Sequence, residues 1–374
     1  MTSDRLLGDL LAGRTAAVAR AISEVENARP GFEQILAGTH AHLGRARRIG
    51  LTGPPGAGKS TLAERLVTAY RARGLTVAVV AVDPTSPFTG GALLGDRIRM
   101  ESVALDPGVF IRSMASRGSL GGLATTTREV CDLLDAAGFA RILIETVGVG
   151  QSELDVARMA DSTVLILVPE SGDAIQTLKS GVMEVADLFV VNKADRPGAE
   201  TLRQEIEVTL GIRRGNAYRH VPKADRRTGS QAGRRAGGRA GSDSAARADS
   251  LPTAERPSSS EPLPACPPAR LPAWNEPVFL TTASKGEGID QLADALDHHH
   301  EWLTTSGELQ HRRQQRLLER TREVVERAAR RWLWQETQAE RLVCERLDDV
   351  ARGRLSPYDL AAEILDGLRQ GEQV

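Results

Sequence analysis

The run Gly53-Pro54-Pro55-Gly56-Ala57-Gly58-Lys59-Ser60, followed by Thr61, has the residue types and spacing of a phosphate-binding loop. Its glycines let backbone N–H groups turn toward phosphate oxygens at the start of a helix. Lys59 is placed to reach the β- and γ-phosphates, and Ser60 to hold Mg²⁺. The apolar run Ile49 to Thr52 before the loop and the helical pattern Thr61 to Tyr70 behind it supply the strand and helix such a loop needs.

A second segment, Asn192-Lys193-Ala194-Asp195, follows the apolar run Leu188 to Val191, which places it at the carboxyl edge of a sheet. The Asp195 carboxylate can accept hydrogen bonds from N1–H and the 2-amino group of guanine, a donor pair that adenine lacks. GTP and GDP are therefore the expected ligands. Thr282-Ala283-Ser284, at the end of another apolar run, is expected to join the base site. Between these segments Ile142-Leu143-Ile144 leads into Glu145, with Gly148 three residues on. That pattern suits an acid holding Mg²⁺ through water and a backbone N–H meeting the γ-phosphate. Val149 stands where Ras-like GTPases carry a water-orienting Gln, so slow intrinsic hydrolysis is expected, with Gln151, Glu153 or a partner residue supplying the help. Asp83, ending an apolar run, and Asp96 are candidates to hold Mg²⁺ or water, against helix capping or ion pairing with Arg97 or Arg99. His298, His299 and His300 point in different directions on a helix and read as a solvated face rather than a metal site.

The elements that must position these groups follow from patterning. Short apolar runs at 49–52, 77–82, 142–144, 164–168, 188–191 and 278–280 alternate with amphipathic stretches, which predicts an α/β fold: a mostly parallel sheet with helices on both faces. Residues 1–45 carry apolar residues at helical spacing and read as an N-terminal helical cap. The GTPase domain is expected over 46–212 and again over 273–304, interrupted at 213–272 by an Arg/Ala/Gly/Pro-rich insertion too poor in large apolar side chains to offset its ordering entropy. Residues 305–374 read as a helical dimerisation arm, against a helical bundle packed on its own GTPase domain, because Trp332, Leu333 and Trp334 offer more apolar surface than one stripe needs. An unbroken helix from Ser306 to Arg352 would span about 70 Å, so either a bend or break within it or packing on a partner is expected. Ser356, Pro357 and Asp359 form a helix start.

Composition narrows the class further. The net charge of −1 argues against a nucleic-acid binder, although eleven Arg and Lys223 in the insertion outnumber its five acids and leave the rest of the chain at −8. Three widely spaced cysteines fit neither a disulfide framework nor a zinc site, which points to a reducing cytoplasm. No uncharged apolar run reaches membrane-spanning length, so no membrane association is expected.

Taken together, the segments Val82 to Pro87, Gly90 to Met100, Ile111 to Ser113, Arg117 to Leu123, Glu145 to Glu153 and Asn192 to Asp195 closely resemble the MeaB/MMAA (ArgK-type) P-loop GTPases. The resemblance implies a GTP-hydrolysing chaperone of adenosylcobalamin-dependent acyl-CoA mutases such as methylmalonyl-CoA mutase, loading and protecting the cofactor. It implies a homodimer formed through the C-terminal helices, with switches at Asp83 to Met100 and Val147 to Glu153. It also implies a mutase-sensing loop at Glu170 to Glu184 containing Gln176, Lys179 and Gly181. The insertion departs from the family pattern. A metal-insertion GTPase of the hydrogenase or urease type and a P-loop small-molecule kinase are the alternatives. The first should bring Cys/His clusters and the second an acceptor pocket.

Overall fold

Seven parallel strands form one sheet: β1 (Arg47–Thr52), β2 (Val77–Asp83), β3 (Val109–Ala115), β4 (Arg141–Thr146), β5 (Ser162–Leu167), β6 (Leu188–Asn192) and β7 (Val278–Thr281), ordered β3-β2-β4-β1-β5-β6-β7. The computed structural model describes residues 3–83, 100–115, 122–146, 152–169, 182–213 and 274–369. The helices are α1 (Ser3–Leu11), α2 (Thr15–Glu26), α3 (Phe32–Thr39), α4 (Lys59–Ala72), α5 (Glu101–Ala104), α6 (Gly122–Ala136) and α7 (Ser152–Met159). They continue with α8 (Val182–Val185), α9 (Ala199–Arg213), α10 (Ile289–Thr305), α11 (Glu308–Arg331), α12 (Ala339–Ala351) and α13 (Pro357–Arg369). No described helix is long and apolar enough to cross a membrane.

Helices cover both faces, so the central strands bury successive rather than alternate residues. Val79, Leu51 and Ile166 pack on one face against Leu62, Leu66 and Leu292 of α4 and α10. Val80, Ile142 and Ile144 turn the other way, toward α6 and the N-terminal helices, where Leu10, Val18 and Ile22 close the core. α1 to α3 are thus bonded to the sheet domain by shared apolar burial, worth about 1.5–3 kcal/mol for each large side chain fully removed from water.

β3 was absent from the runs expected to form strands. It is an edge strand, and its apolar run is cut by Arg112, whose guanidinium leans across to Glu26 on α2. An edge strand needs less apolar continuity than a central one, so the pattern weakens there.

The long C-terminal pattern breaks as expected. α11 ends in a π-helical turn, Trp332–Glu336, and α12 starts three residues later. Ser356 Oγ accepts from the Asp359 amide at 3.1 Å, capping α13.

α11 lies against its own domain by its charged face. Arg312 meets Asp187 at 3.0 Å, Arg313 and Arg316 meet Asp161 at 2.8 and 2.5 Å, Arg320 meets Asp132, and Arg327 meets Glu129 at 2.9 Å. Glu323 returns the pattern by accepting from Arg128 at 2.7 Å. The three- and four-residue spacing stacks these groups on one face. Asp161 and Asp187, which immediately precede β5 and β6, are both buried, yet they shift oppositely. Burial pushes Asp161 up, but two arginines overrule it and hold it well below the usual carboxylate range. At Asp187 burial prevails over the single Arg312, and the net shift is upward. Outward from the same helix, Leu317, Leu318, Val324 and Val325 are exposed, and Trp332 and Trp334 continue that surface.

The histidine run needs correction. His298 is exposed, but His299 is fully buried, its Nδ1 2.8 Å from Ser162 Oγ. Its ring packs between Trp274 and Trp302, at centroid distances of 4.5 and 5.9 Å. α10 rotates this one position inward, onto the amino ends of β5 and β6, which a run of three identical residues could not reveal. Burial, reinforced by Arg312, lowers the His299 pKa from 6.5 to about 3, so the ring is neutral in the folded protein. The unfolded chain binds this proton below pH 6.5 and the folded one does not, so stability is lost as pH falls from 6.5 toward 3. Each such histidine contributes up to about 1.4 kcal/mol per pH unit in that window. His299→Phe, which retains a ring in the stack, should show a shallower fall in thermal midpoint between pH 7 and 5. An unchanged slope would refute the assignment.

The insertion lies, beyond Arg213, outside the described residues. Its flanks are held side by side: Arg213 donates to the Met183 carbonyl and Trp274 Nε1 to the Asp187 carbonyl, each at 2.8 Å. Both attachments sit at the amino end of β6, the sheet edge opposite the phosphate loop.

Candidate nucleotide site

The order of strands creates the site. The chain runs from β1 outward through β2 to β3, and β4 returns between β2 and β1 before β5 starts the other half on the far side of β1. The crevice at the carboxyl ends of such a reversal is where parallel sheets bind ligands. The loop from Gly53 to Gly58 leaves β1 there and enters α4 at Lys59.

Two glycines of this loop have physical necessity. Gly53 has φ 140°, and a Cβ there would lie 2.1 Å from the Ile166 carbonyl oxygen. Gly58 has φ 87°, and a Cβ there would meet Asn192 Nδ2 at 2.4 Å. The first turn of α4 has no side-chain cap, so its N–H groups face the crevice in the manner that suits an anion. Lys59 is 5% exposed, and its Nζ donates to the Gly53 and Pro54 carbonyls at 2.8 and 3.0 Å. The ammonium is thereby laid across the loop whose amides would hold phosphate.

Glu145, next to last in the buried strand β4, lies beside Leu51 and Ala81, and its Oε1 accepts from Ser60 Oγ at 2.5 Å. A hydroxyl and a carboxylate held together at a phosphate loop form the hard oxygen donor set that Mg²⁺ takes. Residues of this chain therefore fit that ion. Asp83 closes β2 one position beyond the Val82–Thr146 pair, at the same edge, although its side chain lies outside the described residues. Asp96, Gly148 and Gln151 also lie outside them, as does the side chain of Glu153.

The base-loop candidates converge from three elements. Asn192 Nδ2 donates to the Ala57 carbonyl at 2.8 Å, and its Oδ1 accepts from Thr281 Oγ1 and the Ala283 amide, both at 3.1 Å. One side chain thus fastens the phosphate loop to the end of β7. Lys193, at φ 59°, sends Nζ to the Gly56 carbonyl at 2.9 Å. Asp195 stands exposed, 3.3 Å from Lys285 Nζ. Thr282 pairs with Glu287 to close the loop holding Ala283 and Ser284. Residues 53–61, Glu145, Asn192, Lys193, Asp195 and 282–284 are therefore brought to one edge.

Two side chains here escaped the sequence reading. Lys285 directly follows the Thr282-Ala283-Ser284 run and could have been included with it. Arg65 of α4 donates from Nε and Nη2 to the carbonyls of Ala283 and Ser284, both at 3.0 Å. Its partners are more than 200 residues away in sequence, with no local signal.

A parallel sheet with a lysine-bearing phosphate loop after its first strand and an Asn-Lys-x-Asp loop after its sixth defines the class: a P-loop GTPase. The chain belongs to the MeaB family, since the family model described as methylmalonyl-CoA mutase-associated GTPase MeaB matches residues 18–338. It is 41% identical over 322 residues to a putative GTPase of Pyrococcus abyssi, covering 86% of this chain and 83% of that protein. It is 42% identical over 206 residues to the mitochondrial methylmalonic aciduria type A homolog of Mus musculus, covering 51% of this chain and 50% of that one. A solved structure described as a LAO/AO transport system kinase superposes with a TM-score of 0.60 at 27% identity, covering 98% of each chain.

Proposed function

We propose that this GTPase is a switch serving an adenosylcobalamin-dependent acyl-CoA mutase, in the first instance methylmalonyl-CoA mutase, and that GTP binding and hydrolysis govern cofactor loading and protection of that enzyme. The observation that carries the reading is the family match over residues 18–338, joined to a site edge that brings phosphate and base loops together.

In this reading the loop amides and Lys59 meet the charge that develops on the γ-phosphoryl group. Ser60 and Glu145, with Asp83 and Asp96, are the side chains that would hold Mg²⁺. The ion when bound neutralises phosphate charge. The Gly148 amide contacts the γ-phosphate, and Gln151 or Glu153 positions the attacking water. Asn192 and Lys193 support the base pocket, Asp195 selects guanine, and the 282–284 loop completes it. The outward apolar surface of α11 and the following turn supports pairing of two copies through residues 305–374. The reading places the protein in the cytoplasm.

The test is affinity capture from a cell extract with the protein loaded with GDP or a non-hydrolysable GTP analogue. A B12-dependent mutase should be retained, with an amount that depends on the nucleotide. Equal retention in both states, or none, would refute the switch. Transfer of γ-phosphate to a small-molecule acceptor instead of its release would establish the kinase reading in its place.

A further inference from the structure

The Arg65 contacts make the base loop dependent on the phosphate-loop helix. The loop's amides are almost all engaged internally. The Ala283 amide donates to Asn192 Oδ1, Lys285 and Glu287 to the Thr282 carbonyl, Gly286 to the Ala283 carbonyl, and Thr282 to the Glu287 carbonyl. None of these bonds uses the Ser284 amide. The plane of the Ala283–Ser284 peptide contains both the Ala283 carbonyl and this N–H, so fixing one aims the other. Arg65 joins the Gly286 amide in fixing it and alone extends the hold to the next carbonyl: Nε reaches the Ala283 carbonyl and Nη2 the Ser284 carbonyl, both at 3.0 Å. A planar guanidinium fork meeting two successive carbonyls sets orientation as well as distance, which a lysine could not reproduce. On the adjoining side, Lys285 is tied to Asp195 at 3.3 Å, so the next residue faces the acid that reads the other edge of the base.

We propose that Arg65 is a positioning residue for guanine recognition: it holds the 283–285 peptides so that the Ser284 amide donates to the 6-oxo group. This rests on the reading that the 282–284 loop and Asp195 contact guanine. The division of labour is specific. Asp195 answers for N1–H and the 2-amino group, and Arg65, through Ser284, for the oxygen at position 6.

Base analogues separate the two. Affinities for GDP, inosine diphosphate, which lacks the 2-amino group, and 6-thioguanosine diphosphate, whose sulfur is a poorer acceptor, are measured for the natural protein, Arg65→Ala and Arg65→Lys. The natural protein should prefer GDP over both analogues. In Arg65→Ala the preference over the 6-thio analogue should shrink about fivefold, the loss of roughly one net hydrogen bond, while the preference over inosine diphosphate stays constant. Arg65→Lys, a single-point donor, should restore part of the lost ratio. Arg65 projects from the exposed side of α4, whose buried side is formed by Leu62, Leu66, Val67 and Tyr70, so the variants retain the helix. If both ratios stay unchanged in Arg65→Ala, or both fall together, the positioning role is refuted while the base-loop reading stands. If the natural protein discriminates against neither analogue, the base-loop reading itself fails.

Discussion

Lys59→Ala should reduce GTP turnover by about 10²–10³-fold, the usual cost of removing one preorganised charged donor from a phosphoryl-transfer site. The ammonium is almost wholly shielded from solvent and held by carbonyls of its own loop, so its orientation is fixed before phosphate arrives. The variant also gives up those two charge-assisted hydrogen bonds, worth about 1.5–3 kcal/mol each, while the core built on both faces of the sheet is kept. Single-turnover phosphate release at saturating GTP, with circular dichroism as the control on folding, checks the result. Turnover within threefold of the natural protein would remove Lys59 from the chemistry.

Asp195→Asn should exchange guanine for xanthine. An amide offers one acceptor and one donor group where the carboxylate offers two acceptors, so the 2-amino group of guanine meets another N–H. Sites that hydrogen-bond a base edge reject mismatched partners strongly, and a loss of about 10³-fold in GTP affinity is expected. Xanthosine triphosphate, with an oxygen at position 2, should gain what GTP loses. Asp195 is 41% exposed and its fold contact is the ion pair with Lys285, so the substitution leaves the architecture undisturbed. Competition of both triphosphates against a fluorescent GDP derivative measures the exchange. Unaltered preference for GTP would show that another group reads the base.

The parts of this protein that a single sequence reveals are those encoded locally. The phosphate loop, its strand and its helix lie within Arg47–Ala72, and the apolar runs of the central strands are nearly continuous because both faces are covered. Edge strand β3 carries Arg112 for an ion pair with a helix 86 residues earlier, and its pattern is correspondingly blurred. The inward face of α11 was illegible for a similar reason. Arginine, glutamate and glutamine along a helix read as solvated, and only the buried carboxylates at Asp132, Asp161 and Asp187 explain why the polar side turns in. His299 is buried by Trp274 and Trp302, one of them delivered from beyond the insertion. Within the site, each motif was visible by itself, whereas the stitching between them depends on β6 and β7 lying side by side. Asn192 joins the phosphate loop to β7, and Arg65 joins α4 to the base loop, across distances that no motif spans.

The arginine face of α11 also decides how the protein can be divided. A boundary at residue 305 separates the sheet domain from the arm by pattern, but it is not a boundary in energy. A chain stopped there would leave the buried carboxylates of Glu129, Asp161 and Asp187 without the guanidinium groups that now neutralise them, while Asp132 would keep only Arg48. Removing one partner of a buried pair typically costs about 3–5 kcal/mol, so losing several at once would consume much of a domain's marginal stability. The sheet domain and α11 are thus inseparable parts of one folding unit.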